Sequence, residues 1–236
     1  MALIGVLGGM GPLATVDFME QIILLTSTAG ATSDQQHLPM LVANLPHTPD
    51  RSLCMLGLGA DPLPALLEGI DLLNRNGVEL IAIPCNSAHV WYDAMRAHSP
   101  VPILHIVETC IAAVPPGARK VAVLATGGTL SSGLFQQRLV ARDIEPVVPN
   151  AITQAHIDAC ILAVKAGDLD ESAGHLTAAL DEFISRGADA AVMGCTEIPL
   201  AARHIVKPAL TLVDSTLELA RATVSYALAR GWNTPR

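Results

Sequence analysis

Two cysteines in this chain stand in matching surroundings. Cys85 ends the apolar run VELIAIP and is followed by Asn86 and Ser87, whereas Cys195 ends ADAAVMG and is followed by Thr196 and Glu197. Gly77 lies eight residues before Cys85, and Gly187 eight residues before Cys195. Each thiol therefore follows a helix stop and a short aliphatic strand. A thiol at such a place lies beside helix N–H groups, whose partial positive charge lowers its pKa and can hold a carboxylate. An unperturbed thiol is only about 3% ionised at neutral pH, a cost of roughly 2 kcal/mol that a helix terminus can offset. Two such thiols on either side of one carbon could take a proton from one face and donate a proton to the other, inverting the centre. Asn86, Ser87 and Thr196 are placed to cap the helices or to bind a ligand.

Other chemistries have weaker signals. Cys54, Cys110 and Cys160 fall in helix or loop patterns and read as small apolar fillers. Five widely spaced cysteines without a CxxC do not make a disulfide framework. A metal site would recruit Cys85 with His89, or Cys195 with Glu197 and His204, but neither set has compact zinc-motif spacing, so no metal is expected. The stretch GMGPLA (Gly9 to Ala14) fits a dinucleotide-binding turn after a strand and makes a nicotinamide enzyme the runner-up. No acidic residue closes the next strand, MLVANL, where a ribose partner should stand. A pyridoxal phosphate enzyme needs a Schiff-base lysine, and none of Lys120, Lys165 and Lys207 sits in a convincing cofactor loop. Lys165 ends an apolar helical pattern before Gly167, where complementing the helix dipole is its plain role. Arg51 falls on the Pro-rich stretch PHTPDRS, whose plain reading is an exposed loop.

Elements of alternating type must position these residues. Strands are expected at Leu3–Leu7, Met40–Leu45, Val78–Ile83, Val121–Leu124, Glu145–Val148, Ala190–Met193 and Ala209–Val213, separated by helix-length segments. That alternation predicts parallel sheets. Asp61 followed by Pro62 predicts an N-cap with proline at the first helical position. IGVLGGMGP from Ile4 resembles VAVLATGGT from Val121 at an offset of 117 residues, which also aligns Phe18 with Phe135. The fold expected is α/β, with two pseudo-symmetric lobes and the site in the cleft between them, at the carboxyl ends of the strands. We place the first lobe over residues 1–114 and the second over 115–209, with 210–236 packing back onto the first.

The 236 residues suffice for one large core or two small ones. Half are apolar, yet only three Phe, two Tyr and two Trp are present, so aliphatic side chains must fill the layers. A net charge of -8 without a basic run opposes nucleic-acid or anionic-membrane binding. The apolar N-terminus lacks a basic region, its glycines and Pro12 suit a tight turn, and no 18-residue apolar run could span a bilayer. A soluble, cytoplasmic protein follows.

IGVLGGMGPLATVDF, PDR at 49–51, PCNSAH at 84–89, ATGGTLSSG at 125–133, Lys165, GCTEIPL at 194–200 and VDST at 213–216 together resemble the aspartate/glutamate racemases. Among these the chain is most similar to the cofactor-independent aspartate racemase branch. The resemblance covers nearly the whole chain and implies two α/β lobes, a cleft, and Cys85 and Cys195 as acid and base without pyridoxal phosphate or any other cofactor. It also implies that Met10, Asn86, Ser87, Thr126, Thr196 and Glu197 surround the amino acid, and that Arg51 and Lys165 meet its acidic side chain. Ser87 stands where the family usually has threonine. Glutamate racemases carry a histidine after the second Cys-Thr and an Asp-Ser near the N-terminus, where this chain has Glu197 and GGMGP, so aspartate is favoured over glutamate. Related members isomerise maleate or racemise hydantoins, and a ligand-binding protein without turnover is the reading from a different class. The expected assembly is a homodimer.

Overall fold

In the computed structural model, which describes residues 2–205, 208 and 210–234, the aliphatic runs form two parallel sheets. The first has the order β2-β1-β3, built from β1 (Ile4–Gly8), β2 (Met40–Asn44) and β3 (Leu80–Ala82). The second has the order β5-β4-β6-β7, built from β4 (Lys120–Leu124), β5 (Glu145–Val147), β6 (Ala190–Met193) and β7 (Thr211–Asp214). In register, Ile4 lies opposite Met40 and Leu80, and Val121 opposite Pro146 and Ala190. Pro146 lies in β5, an edge strand, where a missing N–H is tolerated.

Parallel neighbours require crossover segments, and helices supply them. The first half carries α1 (Pro12–Thr28), α2 (Arg51–Met55), α3 (Leu63–Arg75), α4 (Tyr92–His98) and α5 (Ile106–Ala112). The second carries α6 (Gly127–Ser131), α7 (Gln136–Val140), α8 (Ala151–Ala166), α9 (Leu169–Ser185), α10 (Ile198–Ala202) and α11 (Ser215–Leu228). Gly77 and Gly187 stop α3 and α9 at φ 75° and 76°, a left-handed conformation that glycine adopts without a Cβ clash. The start of α3 differs slightly from expectation. Asp61 accepts the Leu63 N–H at 2.9 Å, but Pro62, with αR geometry, is the flanking residue and the helix begins one position later. No helix among the described residues is long and apolar enough to cross a membrane.

The duplication is visible in the topology. β1 stands between β2 and β3 as β4 stands between β5 and β6, so Cys85 and Cys195 leave corresponding strands. A parallel bridge between Ile81 and Ile103 lies beside β3 where β7 lies beside β6, and α5 and α11 follow these positions and pack together. The 210–236 segment divides. β7 joins the second sheet, pairing along the edge of β6 that β4 leaves open, while α11 lies against α1 and α5. Lys207, Ala209 and the last two residues of that segment lie outside the described residues.

Three apolar clusters fill the layers. One lies outside the first sheet, around Leu7, Ile70, Ile81 and Ile83, and one outside the second, around Leu124, Ile157, Leu180 and Phe183. The third is shared: Ile4, Val6 and Phe18 belong to the same cluster as Val121, Phe135, Val192 and Leu219. Phe18 and Phe135 are both fully buried there.

Candidate active site

Where the strands of both sheets end, a cavity of about 380 Å³ opens. It is lined by all ten residues singled out from the sequence: Met10, Arg51, Cys85, Asn86, Ser87, Thr126, Lys165, Cys195, Thr196 and Glu197. Met10 comes from the turn after β1, Thr126 from the turn after β4, and the cysteine segments from the turns after β3 and β6. Arg51 begins α2, and Lys165 lies in the last turn of α8. Cavity formation at carboxyl strand ends follows from parallel topology, because each strand must hand its chain to a helix on that side.

The two sulfurs have different neighbours. Cys85 is buried, and its Sγ lies 3.4 Å from Ser87 Oγ. Its carbonyl oxygen lies 2.8 Å from His89 Nδ1, and His89 Nε2 lies 3.3 Å from the Leu104 carbonyl. Burial lowers the His89 pKa to about 4, so the ring is neutral at pH 7. A neutral ring has one N–H, and the shorter contact places it on Nδ1, donating to Cys85. Cys195, half-buried, donates from Sγ to Glu197 Oε2 at 3.0 Å, and Thr196 Oγ1 donates to the same oxygen at 3.4 Å. Burial and then the Glu197 carboxylate push the Cys195 thiol well above its usual pKa, against a smaller opposing influence from Lys165. Cys195 is therefore a thiol at neutral pH.

Thr126 caps α6 and shares a 2.6 Å hydrogen bond with Ser52 Oγ, joining the two halves beside the cavity. Gly128 is required there, since a Cβ would come within 2.6 Å of Ser52 Cα. The guanidinium of Arg51 is partly committed to backbone. Nη1 donates to the Thr48 and Pro49 carbonyls at 3.2 and 3.0 Å, and Nη2 lies 3.4 Å from the Met10 carbonyl. Lys165 makes no ion pair among the described residues.

The alternative chemistries lose their geometry. His89 faces two carbonyls and His204 pairs with Asp170 at 3.5 Å, so neither joins a cysteine in a metal set. The turn of GMGPLA faces a carboxylate: a Cβ on Gly11 would stand 3.0 Å from Glu197 Oε1, a poor setting for a pyrophosphate. Cys110 and Cys160 are core fillers, as expected, and burial raises both thiols, Cys160 to about 12. Cys54 is half-buried in α2.

Several residues at or behind the site carried no sequence signal of their own. Ser52, Leu53, Leu56, Asp158, Ile161 and Leu162 also line the cavity. Spacing reveals part of this afterwards: Asp158, Ile161, Leu162 and Lys165 share one face of α8 at helical intervals.

A family model described as Asp/Glu/hydantoin racemase matches residues 7–223. The broad specificity amino-acid racemase RacX of Bacillus subtilis (strain 168) is 34% identical over 232 residues, spanning 96% of this chain and 99% of the relative. The solved aspartate racemase of Picrophilus torridus superposes with a TM-score of 0.84 at 29% identity, covering 96% of this chain and 94% of that one. The glutamate racemase of Francisella tularensis subsp. tularensis SCHU S4, solved in complex with D-glutamate, shares the fold, with a TM-score of 0.69 at 16% identity, covering 98% of this chain and 82% of that one.

Proposed function

The chain belongs to the Asp/Glu/hydantoin racemase family, and on that premise we propose that it interconverts L- and D-aspartate with Cys85 and Cys195 as base and acid, without pyridoxal phosphate. The observation that carries this reading is that both thiols, leaving corresponding strands of the two sheets, line one cavity. A thiolate on one face removes the α-proton, the electron pair of the C–H bond stays on the α-carbon as a carboxylate-stabilised carbanion, and the thiol on the opposite face delivers its proton there. In the free protein Cys195 donates its proton toward Glu197, so we assign it the acid role in this direction and Cys85 the role of base. For the reverse direction Cys195 must be deprotonated, and Glu197, 3.0 Å from its sulfur, is the acceptor at hand.

Lys165, which stands on the cavity wall and makes no ion pair among the described residues, supports an acidic side chain. A broader amino-acid specificity is the second reading, favoured by Leu53, Leu56 and Leu162, which line the cavity while remaining 46%, 50% and 65% exposed. Such a rim can cover an apolar side chain. Incubation of the purified protein with L-aspartate in deuterium oxide, followed by proton NMR, tests the proposal. We expect loss of the α-proton signal, with D-aspartate detected by chiral chromatography of the same sample; exchange with leucine or methionine but not aspartate would favour the second reading. Absence of exchange with every amino acid would remove both.

A further inference from the structure

We propose that Ser215 is a positioning residue that determines which end of the Asn86 amide is presented to the ligand. Ser215 opens α11, where the Asp214 side chain accepts the Thr216 and Leu217 N–H groups at 2.8 and 3.1 Å and holds the helix start in place. The Ser215 side chain is fully buried, so its hydrogen bonds must be made within the protein. Its Oγ donates to the Met193 carbonyl at 2.8 Å, and because a carbonyl can only accept, the single hydroxyl proton is committed there. The same Oγ lies 2.8 Å from Asn86 Nδ2. With its proton used, Oγ can only accept from Asn86, so the amide must turn its NH2 toward Ser215 and its oxygen away.

Asn86 is 2% exposed and lines the cavity, and its Oδ1 is buried without a hydrogen-bond partner among the described residues. A ligand therefore meets a hydrogen-bond acceptor at this position. On the racemase reading, the group of an amino acid that matches an acceptor is the α-ammonium. A flipped amide would point NH2 at that cation. Ser215 has a second effect: it ties the residue after Cys85 to β6 two residues before Cys195, so one hydroxyl links the backbones that carry both thiols.

The test compares Ser215→Ala, Asn86→Ala and the double variant in α-proton exchange of L-aspartate. Removing one partner of a buried hydrogen bond leads us to expect a rise in KM of roughly five- to a hundred-fold for Ser215→Ala, with a smaller change in kcat. Because Ser215 acts through Asn86, the double variant should lose no more than Asn86→Ala alone, whereas Ser215→Ala combined with Lys165→Ala should multiply. A KM within twofold of the parent, or multiplicative loss with Asn86→Ala, overturns the proposal. A second measurement needs no turnover and no variant that must fold: the side-chain amide of Asn86 in the unaltered protein, assigned by NMR, should exchange slowly with solvent. Rapid exchange there overturns the proposal, while slow exchange in a protein that turns over no amino acid would preserve it and reject the racemase reading instead.

Discussion

Cys85 and Cys195 are the same side chain at corresponding strand ends, but only Cys195 lies against a carboxylate. The ionised Glu197 disfavours a second negative charge 3.0 Å away, which is why it raises the thiol. Glu197→Gln removes that charge and should lower the Cys195 pKa. The variant should then be alkylated at Cys195 by iodoacetamide several-fold faster than the parent at pH 7, as read by mass spectrometry of the labelled peptide; an unchanged rate would mean that burial alone controls the thiol. Arg51 and Lys165 differ in the same way. Arg51 bonds the Thr48 and Pro49 carbonyls and approaches Met10, so Arg51→Ala disturbs the turn that lines the cavity as well as its charge. Lys165→Ala removes the charge without disturbing that turn. We expect Lys165→Ala to reduce kcat/KM for aspartate by roughly thirty-fold or more while sparing methionine, and Arg51→Ala to reduce both. Equal losses on both substrates in Lys165→Ala would show that it does not read the side chain.

At the scale of elements, helix starts behind the site carry titrating groups whose effects oppose each other. His89, in the turn that follows Cys85, is driven by burial to a pKa of about 4 from 6.5. Between those values the unfolded chain binds a proton that the folded chain refuses, so stability falls as pH drops from 6.5 to 4, by about 3 kcal/mol for this group. His105, the cap of α5, is lowered to about 3, chiefly by burial, and acts in the same direction. Asp214, the cap of α11, is raised by burial to about 6 from 3.8, so the folded chain takes up a proton first and gains relative stability as pH drops from 6 to 3.8. Asp214→Asn keeps the capping oxygen and removes the offset. Its melting temperature should fall more steeply than that of the parent between pH 6.5 and 4; parallel slopes would show that Asp214 does not contribute. Element identity was legible from sequence because strands buried on both faces read as continuous aliphatic runs: Ala190–Met193 was found as expected, and Val121–Leu124 gained only Lys120. The glycine stops and the strand-end positions of both cysteines were legible for similar local reasons, whereas the local pattern around Lys165 suggested only a helix-dipole role and its place on the cavity wall came from the resemblance. Ser215 was not legible, because its partner Asn86 lies 129 residues away and nothing local in VDST distinguishes a cap from a tether. The neutral state of His89 was equally hidden, since it depends on burial that only the packed fold defines.

At the scale of the whole molecule, the two sheets are joined by one apolar cluster and a few polar ties. Arg138 on α7 reaches Glu108 and His105 at 2.6 and 2.9 Å, Arg203 pairs with Asp17 on α1, and Thr126 meets Ser52. Partly exposed ion pairs are worth about 1 kcal/mol or less each. A fully buried Phe, Leu or Ile contributes roughly 1.5–3 kcal/mol, and the shared cluster holds Phe18, Phe135, Ile4, Ile106 and Leu219 among others. Burial, then, dominates the join, and neither sheet can keep its inner face covered if the other unfolds. The chain should accordingly unfold in one step despite its duplicated topology. Its two tryptophans make this measurable, because Trp91 packs on the cluster outside the first sheet and Trp232 on the shared cluster. Trp232→Phe leaves Trp91 as the fluorophore, Trp91→Phe leaves Trp232, and far-UV circular dichroism follows the helices of both halves. Within each variant, fluorescence and dichroism should give the same guanidinium midpoint and slope. A fluorescence transition of Trp91 separated from the dichroism transition would show that the first sheet melts as its own unit, and that the cavity between the sheets can open without global unfolding.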